Sequence, residues 1–547
     1  MIHYICKYTP VEVLEALGQP CQVLDGMPEN FDLSDAMAHP NLCGFGKAVI
    51  QACMAGGVEE LVLVNCCDTI KRAYDVIKHS GVCKFLYFMD LPHESAGCGI
   101  TMMEEEIRKL TKAYCAYKNV RWDEGRFLQA LQKPSGPSEP YIGLLGARVG
   151  KELENFIADT IRLPVKNLTC VENRNLQLSK ETLQNLPEEE RRKAYSRHLL
   201  SQTPCQRMHN NAARRLLVND PNLKGIVYHT VKFCDFYGFE YMEWKATAGV
   251  PLLKIETDYT LQSKGQMATR LEAFEETLTG IGKEQGMATE QKEYVAGIDS
   301  GSTSTDVVIL DRAGNIAASA IVPTGAGAAA GAEKALSIAL HSSGISREDV
   351  GRIVTTGYGR AYIESGDKSI TEITCHAKGA YHLNPNVRTI LDIGGQDSKV
   401  IRIDSKGNVV NFVMNDKCAA GTGRFLEAMA RALGMTLEEL GGMGERWKET
   451  IVISSMCTVF AESEVVSLVA QNKDVGDIVH GLCDSVAAKI DTLLSRLGPK
   501  GEYMMTGGVA KNRGVVQAIS QRLGEPVLVS EASQLCGALG AALFALE

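Results

Sequence analysis

The 547-residue sequence has no apolar run of the roughly 18–20 residues needed to span a bilayer. It has no long run of Lys or Arg, and its formal net charge is −9, so nucleic acid is not an expected partner. The first residues, MIHYICKYTPVEVLEALGQP, show no cationic segment followed by an apolar one, so no secretory leader is expected. Together these absences point to a cytoplasmic protein with no membrane attachment. The chain is too long for one core and is 45% apolar, which suggests three or four domains that each bury their own.

Seventeen cysteines stand out against this background. In a small secreted domain they would suggest a disulfide frame; in a large cytoplasmic chain they more often mean metal, redox chemistry or burial. Twelve lie before residue 235 and five after residue 374. Each one alone reads first as a small buried hydrophobe, and exceptions must be argued from their surroundings.

Composition shifts mark the boundaries. The stretch 279–293 is polar and is followed at once by the strand-like YVAGIDSG. A weaker boundary, QKPSGPSEP at 132–140, holds three prolines, two serines and a glycine. Residues 1–133 alternate short apolar runs such as ELVLVNCCD with helix-like stretches, and residues 140–278 do the same. Such alternation argues for parallel sheets with helical cover. Residues 294–547 form a third block with an internal echo.

The echo is GIDSGSTSTDVVILD (297–311) and LDIGGQDSKVIRID (391–404). Each reads as a strand, an Asp, a Gly-rich turn and a second strand. Such a turn aims several backbone amides at one spot, and glycine lets a phosphate approach closely. The Asp at the strand end can hold Mg²⁺ through water. A third piece, YMMTGGVAKN (503–512), is again strand then Gly-Gly turn and suits the adenosine. Three such pieces in order resemble the superfamily of sugar kinases, heat-shock chaperones and actin, with two ribonuclease-H-like lobes clamping ATP. The resemblance implies ATP or ADP with Mg²⁺, and Asp299 and Asp392 near the metal. Gly301, Ser302, Thr303, Ser304 and Thr305 would surround the phosphates. Gly394, Gly395 and Gln396 would form the second phosphate loop, with Gly421 and Thr422 as further nucleotide contacts. Gly507 and Gly508 would meet the nucleoside.

Two cysteines in this block precede helix-like segments: Cys418 in DKCAAGTGRFLEAM and Cys457 in MCTVFAESEVV. A thiolate is stabilised at a helix N-terminus, and the same amides can hydrogen-bond cluster sulfides. A 4Fe-4S cluster needs four cysteines, which two chains on a two-fold axis would supply. DKCAAGTGRFLE, MCTVFAESEV, LDIGGQDSK and TGGVAKN resemble the ATP-dependent activators of 2-hydroxyacyl-CoA dehydratases and their benzoyl-CoA reductase relatives. That resemblance implies a homodimer with one bridging 4Fe-4S cluster on Cys418 and Cys457, a ferredoxin or flavodoxin as donor, and a partner protein as acceptor. Cys375, Cys483 and Cys536 read as core.

In the N-terminal half, Cys43 follows a Pro-Asn turn and precedes a helix-like stretch. Cys66, Cys67 and Cys234 stand at strand ends, and Cys205 precedes a helix start. Strand ends facing a crevice are where α/β sheets place ligands. The segments HPNLCGFGKAVI, NCCDTIKRAYDV, TPCQRM, FCDFYGFEY and LLKIETDY resemble the cluster-bearing subunits of 2-hydroxyacyl-CoA dehydratases and double-cubane-cluster proteins. The resemblance implies two Rossmann-like lobes with an iron–sulfur cluster between them, single or double cubane. Its implied ligands are Cys43, Cys67 and Cys234, with Cys205 and Cys66 next. His93, Glu94 and His229 are loop or strand-end residues without an assigned role.

The expectation is thus an α/β chain: paired Rossmann-like lobes (1–133 and 140–278), a linker (279–293) and a duplicated ribonuclease-H-like ATPase domain (294–547). Its function would be ATP-driven, low-potential electron transfer into a dehydratase- or reductase-like half, with a further dehydratase-type subunit as a possible partner. Two alternatives use the same ATP cleft: a phosphotransferase without a cluster, and a nucleotide-gated binding protein without a catalytic N-terminal half.

Overall fold

The computed structural model describes residues 1–131, 139–170, 174–176, 178–260, 264–279, 292–325, 327–415, 419–453, 457–498 and 500–547. Cys418 and most of the stretches 132–140 and 279–293 lie outside the described residues. The chain divides into two compact units, Met1–Leu278 and Thr279–Glu547.

The N-terminal unit holds two four-stranded sheets. The first is built from β1 (Ile2–Tyr4), β2 (Cys21–Val23), β3 (Glu60–Val64) and β4 (Phe85–Met89), in the order β2-β1-β3-β4. The second uses β5 (Tyr141–Gly146), β6 (Val165–Asn167), β7 (Leu223–Val231) and β8 (Leu252–Thr257), in the order β6-β5-β7-β8. All pairings are parallel, so each sheet is a doubly wound half with the same strand order. The continuous run ELVLV in β3 is buried throughout, as a strand covered on both faces requires. In each sheet the order reverses between the first and third strands, which opens a crevice at their C-terminal ends.

The C-terminal unit repeats one five-stranded sheet. Its first copy is β9 (Tyr294–Ser300), β10 (Ser304–Asp311), β11 (Ile316–Pro323), β12 (Val350–Thr356) and β13 (Lys368–Ser369), ordered β11-β10-β9-β12-β13. The second is β14 (Thr389–Ile393), β15 (Ser398–Ile403), β16 (Val409–Asn415), β17 (Tyr503–Thr506) and β18 (Val527–Val529), ordered β16-β15-β14-β17-β18. In both, the first three strands are antiparallel and the last two run parallel to the first. This is the duplicated ribonuclease-H-like topology. Equivalent positions carry Asp299 and Asp392, each facing a threonine on the neighbouring parallel strand, Thr356 and Thr506. No helix among the described residues is long and apolar enough to cross a membrane.

Candidate functional site

The two Asp-Gly hairpins of the C-terminal unit close alike. The Gly301 amide donates to the Ser304 carbonyl oxygen at 2.9 Å, and the Gly394 amide to that of Asp397 at 3.0 Å. Both hairpins line one cavity of about 870 Å³. Asp299, Gly301, Ser302, Thr303, Ser304, Asp392, Gly394, Gly395, Gly507 and Gly508 all face it. Gly507 holds φ +84°, and a Cβ there would stand 2.5 Å from the Ile393 carbonyl oxygen and 2.9 Å from Asp392 Oδ1, so only glycine lets the turn pass so close.

Four expected contacts lie elsewhere. The Thr305 hydroxyl is turned to Thr324 at 3.0 Å. Gln396 is exposed outside the lining. The Gly421 carbonyl accepts from Ser398 at 2.6 Å, and Thr422 begins the helix Gly423–Ala432. These two hold the loop that carries the helix against Gly394 and Gly395, whose carbonyls accept from the Gly423 and Arg424 amides at 2.9 Å each.

The site also gathers residues to which their local sequence assigns no role. Lys399, fully buried, contacts Asp397 at 2.6 Å, Asp392 at 3.2 Å and Glu372 at 3.3 Å. His376 sets Nδ1 3.3 Å from Asp392 and Nε2 3.7 Å from Asp299. The Thr506 hydroxyl donates to Asp392 at 3.0 Å. Leu437, Gly441 and Gly442 come from the helix Leu437–Met443, whose start is fixed by a capping box between Thr436 and Glu439.

The two equivalent aspartates are electrostatically unlike. Burial, then Asp306 and Asp392, push Asp299 up to about 7. Asp392 is also buried, yet His376, Lys399 and Thr506 hold it below the usual carboxylate range. Burial likewise raises Asp306 to about 7 and, against the pull of Lys399, Glu372 to about 8. The Thr303 hydroxyl and Asp306 Oδ1 are buried without a partner, which suits a cavity shaped around a bound polar ligand.

A stability profile follows from these carboxyls. Raised carboxyls bind protons more tightly in the folded state, so their contribution is present below the unfolded value near 4 and is lost as pH rises through 7 to 8. The melting temperature of the nucleotide-free chain is expected to fall between about pH 5 and pH 8, and Mg²⁺ with ADP to reduce that fall by pairing the carboxylates. Thermal scans across this range check it; a flat profile without nucleotide would contradict it.

The second candidate site belongs to the N-terminal unit. Both crevices open onto one cavity of about 100 Å³. Cys43, Cys66, Cys67, Cys205 and Cys234 all line it, and so do Cys6, just beyond β1, and Cys170, beyond β6. Three of these begin helices: Cys43 caps Gly44–Met54, Cys67 caps Asp68–Ser80 and Cys234 caps Asp235–Thr247. The amides behind them pull thiol pKa down. Cys67 is lowered to about 7 by the Cys66 thiol and then, against burial, by the Ile70 and Thr69 amides, while Cys66 is raised. Burial pushes Cys6 and Cys234 up to about 12, and raises Cys43 and Cys170.

Lys7, Arg148 and Arg207 are the cations of the lining, which also holds Tyr8, Gln206 and Tyr237, and no carboxylate joins them. Among the described residues, no three His, Cys, Asp or Glu side chains converge on a single metal ion. His229 lies outside the lining, between the Ala147 carbonyl oxygen at 3.2 Å and Thr257 at 2.8 Å. His93 Nδ1 meets the Arg207 carbonyl oxygen at 2.9 Å, and Glu94 is exposed outside the lining.

In the C-terminal unit, Cys457 is exposed at the start of the helix Thr458–Ala470. Cys375, Cys483 and Cys536 are buried.

Two family models match the chain. One, described as the D-component of 2-hydroxyglutaryl-CoA dehydratase, matches residues 6–136 and 133–278. The other, the BadF/BadG/BcrA/BcrD ATPase family, matches residues 296–545. Over 254 residues the chain is 50% identical to an activator of lactoyl-CoA dehydratase from Anaerotignum propionicum, covering 46% of this chain and 98% of the relative. It is 44% identical to a 2-hydroxyisocaproyl-CoA dehydratase activator from Clostridioides difficile, over 46% of this chain and 95% of the relative. A similar solved structure is component A of the Acidaminococcus fermentans (R)-2-hydroxyglutaryl-CoA dehydratase, with 44% identity and a TM-score of 0.45 over 46% of this chain and 97% of that one. Through residues 296–545, behind a dehydratase D-component region, the chain belongs to the BadF/BadG/BcrA/BcrD ATPase family.

Proposed function

We propose that the chain couples ATP hydrolysis in its C-terminal unit to low-potential electron transfer, with the cysteine cavity of its N-terminal unit as the acceptor. One observation carries this reading. Seven thiols from both lobes meet in a single cavity with three buried cationic side chains and no carboxylate. Buried cations without counter-charge are costly, and thiolates around an anionic group provide that charge. The spread of the sulfurs around a cavity suits a group larger than an ion. An iron–sulfur cluster bound there would supply one-electron redox chemistry. The chain's own residues would hold it: Cys43, Cys67 and Cys234 with helix amides behind them, and Cys6, Cys66, Cys170 and Cys205 from the surrounding loops. Cys6, Cys43 and Cys205 are buried and the other four are partly so, which limits access by water.

In the nucleotide cavity, Asp392 stays ionised and is the group to orient Mg²⁺. Asp299 exchanges a proton near neutrality and can take one from an attacking water. Two neighbouring carboxyls with separated pKa values are suited to this division of roles. Thr303 and the hairpin amides would bind phosphates, and Gly507 and Gly508 the nucleoside. Cys457 offers its thiol outward at a helix start, as a ligand shared with a second copy requires, and Cys418 would complete the pair. At roughly 1.4 kcal/mol per 59 mV for one electron, ATP hydrolysis covers a few hundred millivolts. The relatives' names point to 2-hydroxyacyl-CoA dehydration, or reduction of a comparably unreactive small molecule, as the chemistry served. A homodimer fed by ferredoxin or flavodoxin fits that use. A phosphotransferase reading leaves the cysteine cavity without a role.

Iron and acid-labile sulfide per chain test the reading on anaerobically purified protein. About six irons or more are expected, falling by about two in Cys457→Ala, because a bridging four-iron cluster contributes two per chain. A wild-type value near two, lost in the variant, would leave the N-terminal cavity without a cluster and contradict the reading.

A further inference from the structure

β5 ends in the stretch GARVG, residues 146–150. Gly146 holds φ +91°, and a Cβ there would stand 2.2 Å from the His229 carbonyl oxygen and 2.8 Å from the Tyr228 ring. The chain therefore turns tightly against β7, and the Ala147 amide donates to the His229 carbonyl oxygen at 2.8 Å. This turn places Arg148 in the wall of the cysteine cavity, only 4% exposed. Two contacts fix its guanidinium. Nη1 donates to the Ile5 carbonyl oxygen at 3.0 Å, and the guanidinium carbon lies 4.9 Å from the centre of the Phe45 ring. Nη2 is buried with no partner.

The other two cations are committed differently. Lys7 Nζ donates to the Thr203 carbonyl oxygen. Arg207 gives Nη1 to Pro92 and Nη2 to Leu91, both backbone oxygens at 3.0 Å, and leaves Nε unpaired. Only Arg148 keeps a terminal nitrogen uncommitted. A buried guanidinium N–H that loses water and gains no acceptor costs free energy. Seven sulfurs line this wall beside Tyr8, Gln206 and Tyr237, and of these the Gln206 oxygen and the Tyr8 hydroxyl already accept from Asn211 and the Cys205 amide.

We propose that Arg148 is a positioning residue that donates from Nη2 to a sulfur of the group held in the cavity and thereby raises its reduction potential. The inference rests on the cavity being an iron–sulfur site. A fixed positive charge and a hydrogen bond to sulfur both favour the reduced, more negative state, so removing them lowers the potential.

The experiment uses the full chain carrying Cys457→Ala, expected to lose the iron of the C-terminal unit so that the N-terminal signal is read alone. Arg148→Met keeps length and removes charge and donors, while Arg148→Lys keeps the charge. Iron per chain and the midpoint potential are measured for the parent and both variants by an EPR-monitored titration. The expected result is unchanged iron in all three and a shift to more negative potential in Arg148→Met. At the parent's midpoint, the reduced-to-oxidised ratio falls about tenfold, or ~59 mV, with a smaller shift in Arg148→Lys. Unchanged iron with an unchanged potential overturns the inference and leaves Arg148 as a tie between the lobes. Iron lost from both variants overturns it too, because Arg148 then serves assembly and not potential. A parent chain that binds no iron overturns the reading of the cavity itself.

Discussion

Replacing Asp392 by asparagine is expected to slow ATP hydrolysis by roughly 10²–10³-fold, the range for losing one group that stabilises developing charge. Asparagine keeps the shape of the side chain and removes its charge. Asp392 stands at the end of β14 with the Thr506 hydroxyl at 3.0 Å, Lys399 at 3.2 Å and His376 at 3.3 Å. These partners keep it ionised, and an ionised carboxylate is what a Mg²⁺ site requires. Lys399 retains Asp397 and Glu372 in the variant, so the buried cation stays paired and the unit is expected to stay folded. Phosphate release and a thermal scan on the same sample separate catalysis from folding. A variant within about threefold of wild type would remove Asp392 from the reaction.

The second large effect is expected from Cys67→Ala combined with Cys234→Ala. These cysteines begin helices in different lobes, and both line the same cavity as Cys43. Losing both removes a sulfur from each wall of the cavity. The N-terminal iron, about four per chain or more, is expected to disappear. ATP hydrolysis is expected to continue, since the nucleotide cavity is built from the other unit alone. Asp392→Asn should do the reverse, keeping iron and losing hydrolysis. Iron analysis and phosphate release on both variants check this double separation. Retention of all the iron in the double cysteine variant would contradict the proposed ligand set.

What was legible in the sequence was local. Each Asp-Gly hairpin lies within about fifteen residues, so the echo of 297–311 and 391–404 is visible before any folding, and both hairpins do line one cavity. Lys399 sits in the same quoted motif, but its meaning comes from pairing across β14 and β15 and from Glu372 on a separate helix. His376 likewise gains its place between two aspartates only when the two sheets come together. Cys43 could be read because it precedes a helix-like stretch, and Cys67 and Cys234 because they stand at strand ends; in the fold each of the three begins a helix. Cys6 and Cys170 follow β1 and β6, strands of three residues each, too short for any periodicity to show. Thr305 and Gln396 mislead in the opposite direction. They sit within Gly-rich phosphate-type loops, yet one hydroxyl is turned to Thr324 and the other side chain is exposed.

The account's central claim is that ATP hydrolysis drives an electron into the N-terminal cysteine cavity. The most direct test is freeze-quench EPR of the anaerobic protein, pre-reduced by a ferredoxin-strength donor and mixed with Mg²⁺ and either ATP or ADP. The account predicts a new reduced signal that appears with ATP, is absent with ADP, and is absent from the Cys67→Ala, Cys234→Ala variant. A signal equally strong with ADP, or one that survives loss of both cysteines, would contradict it.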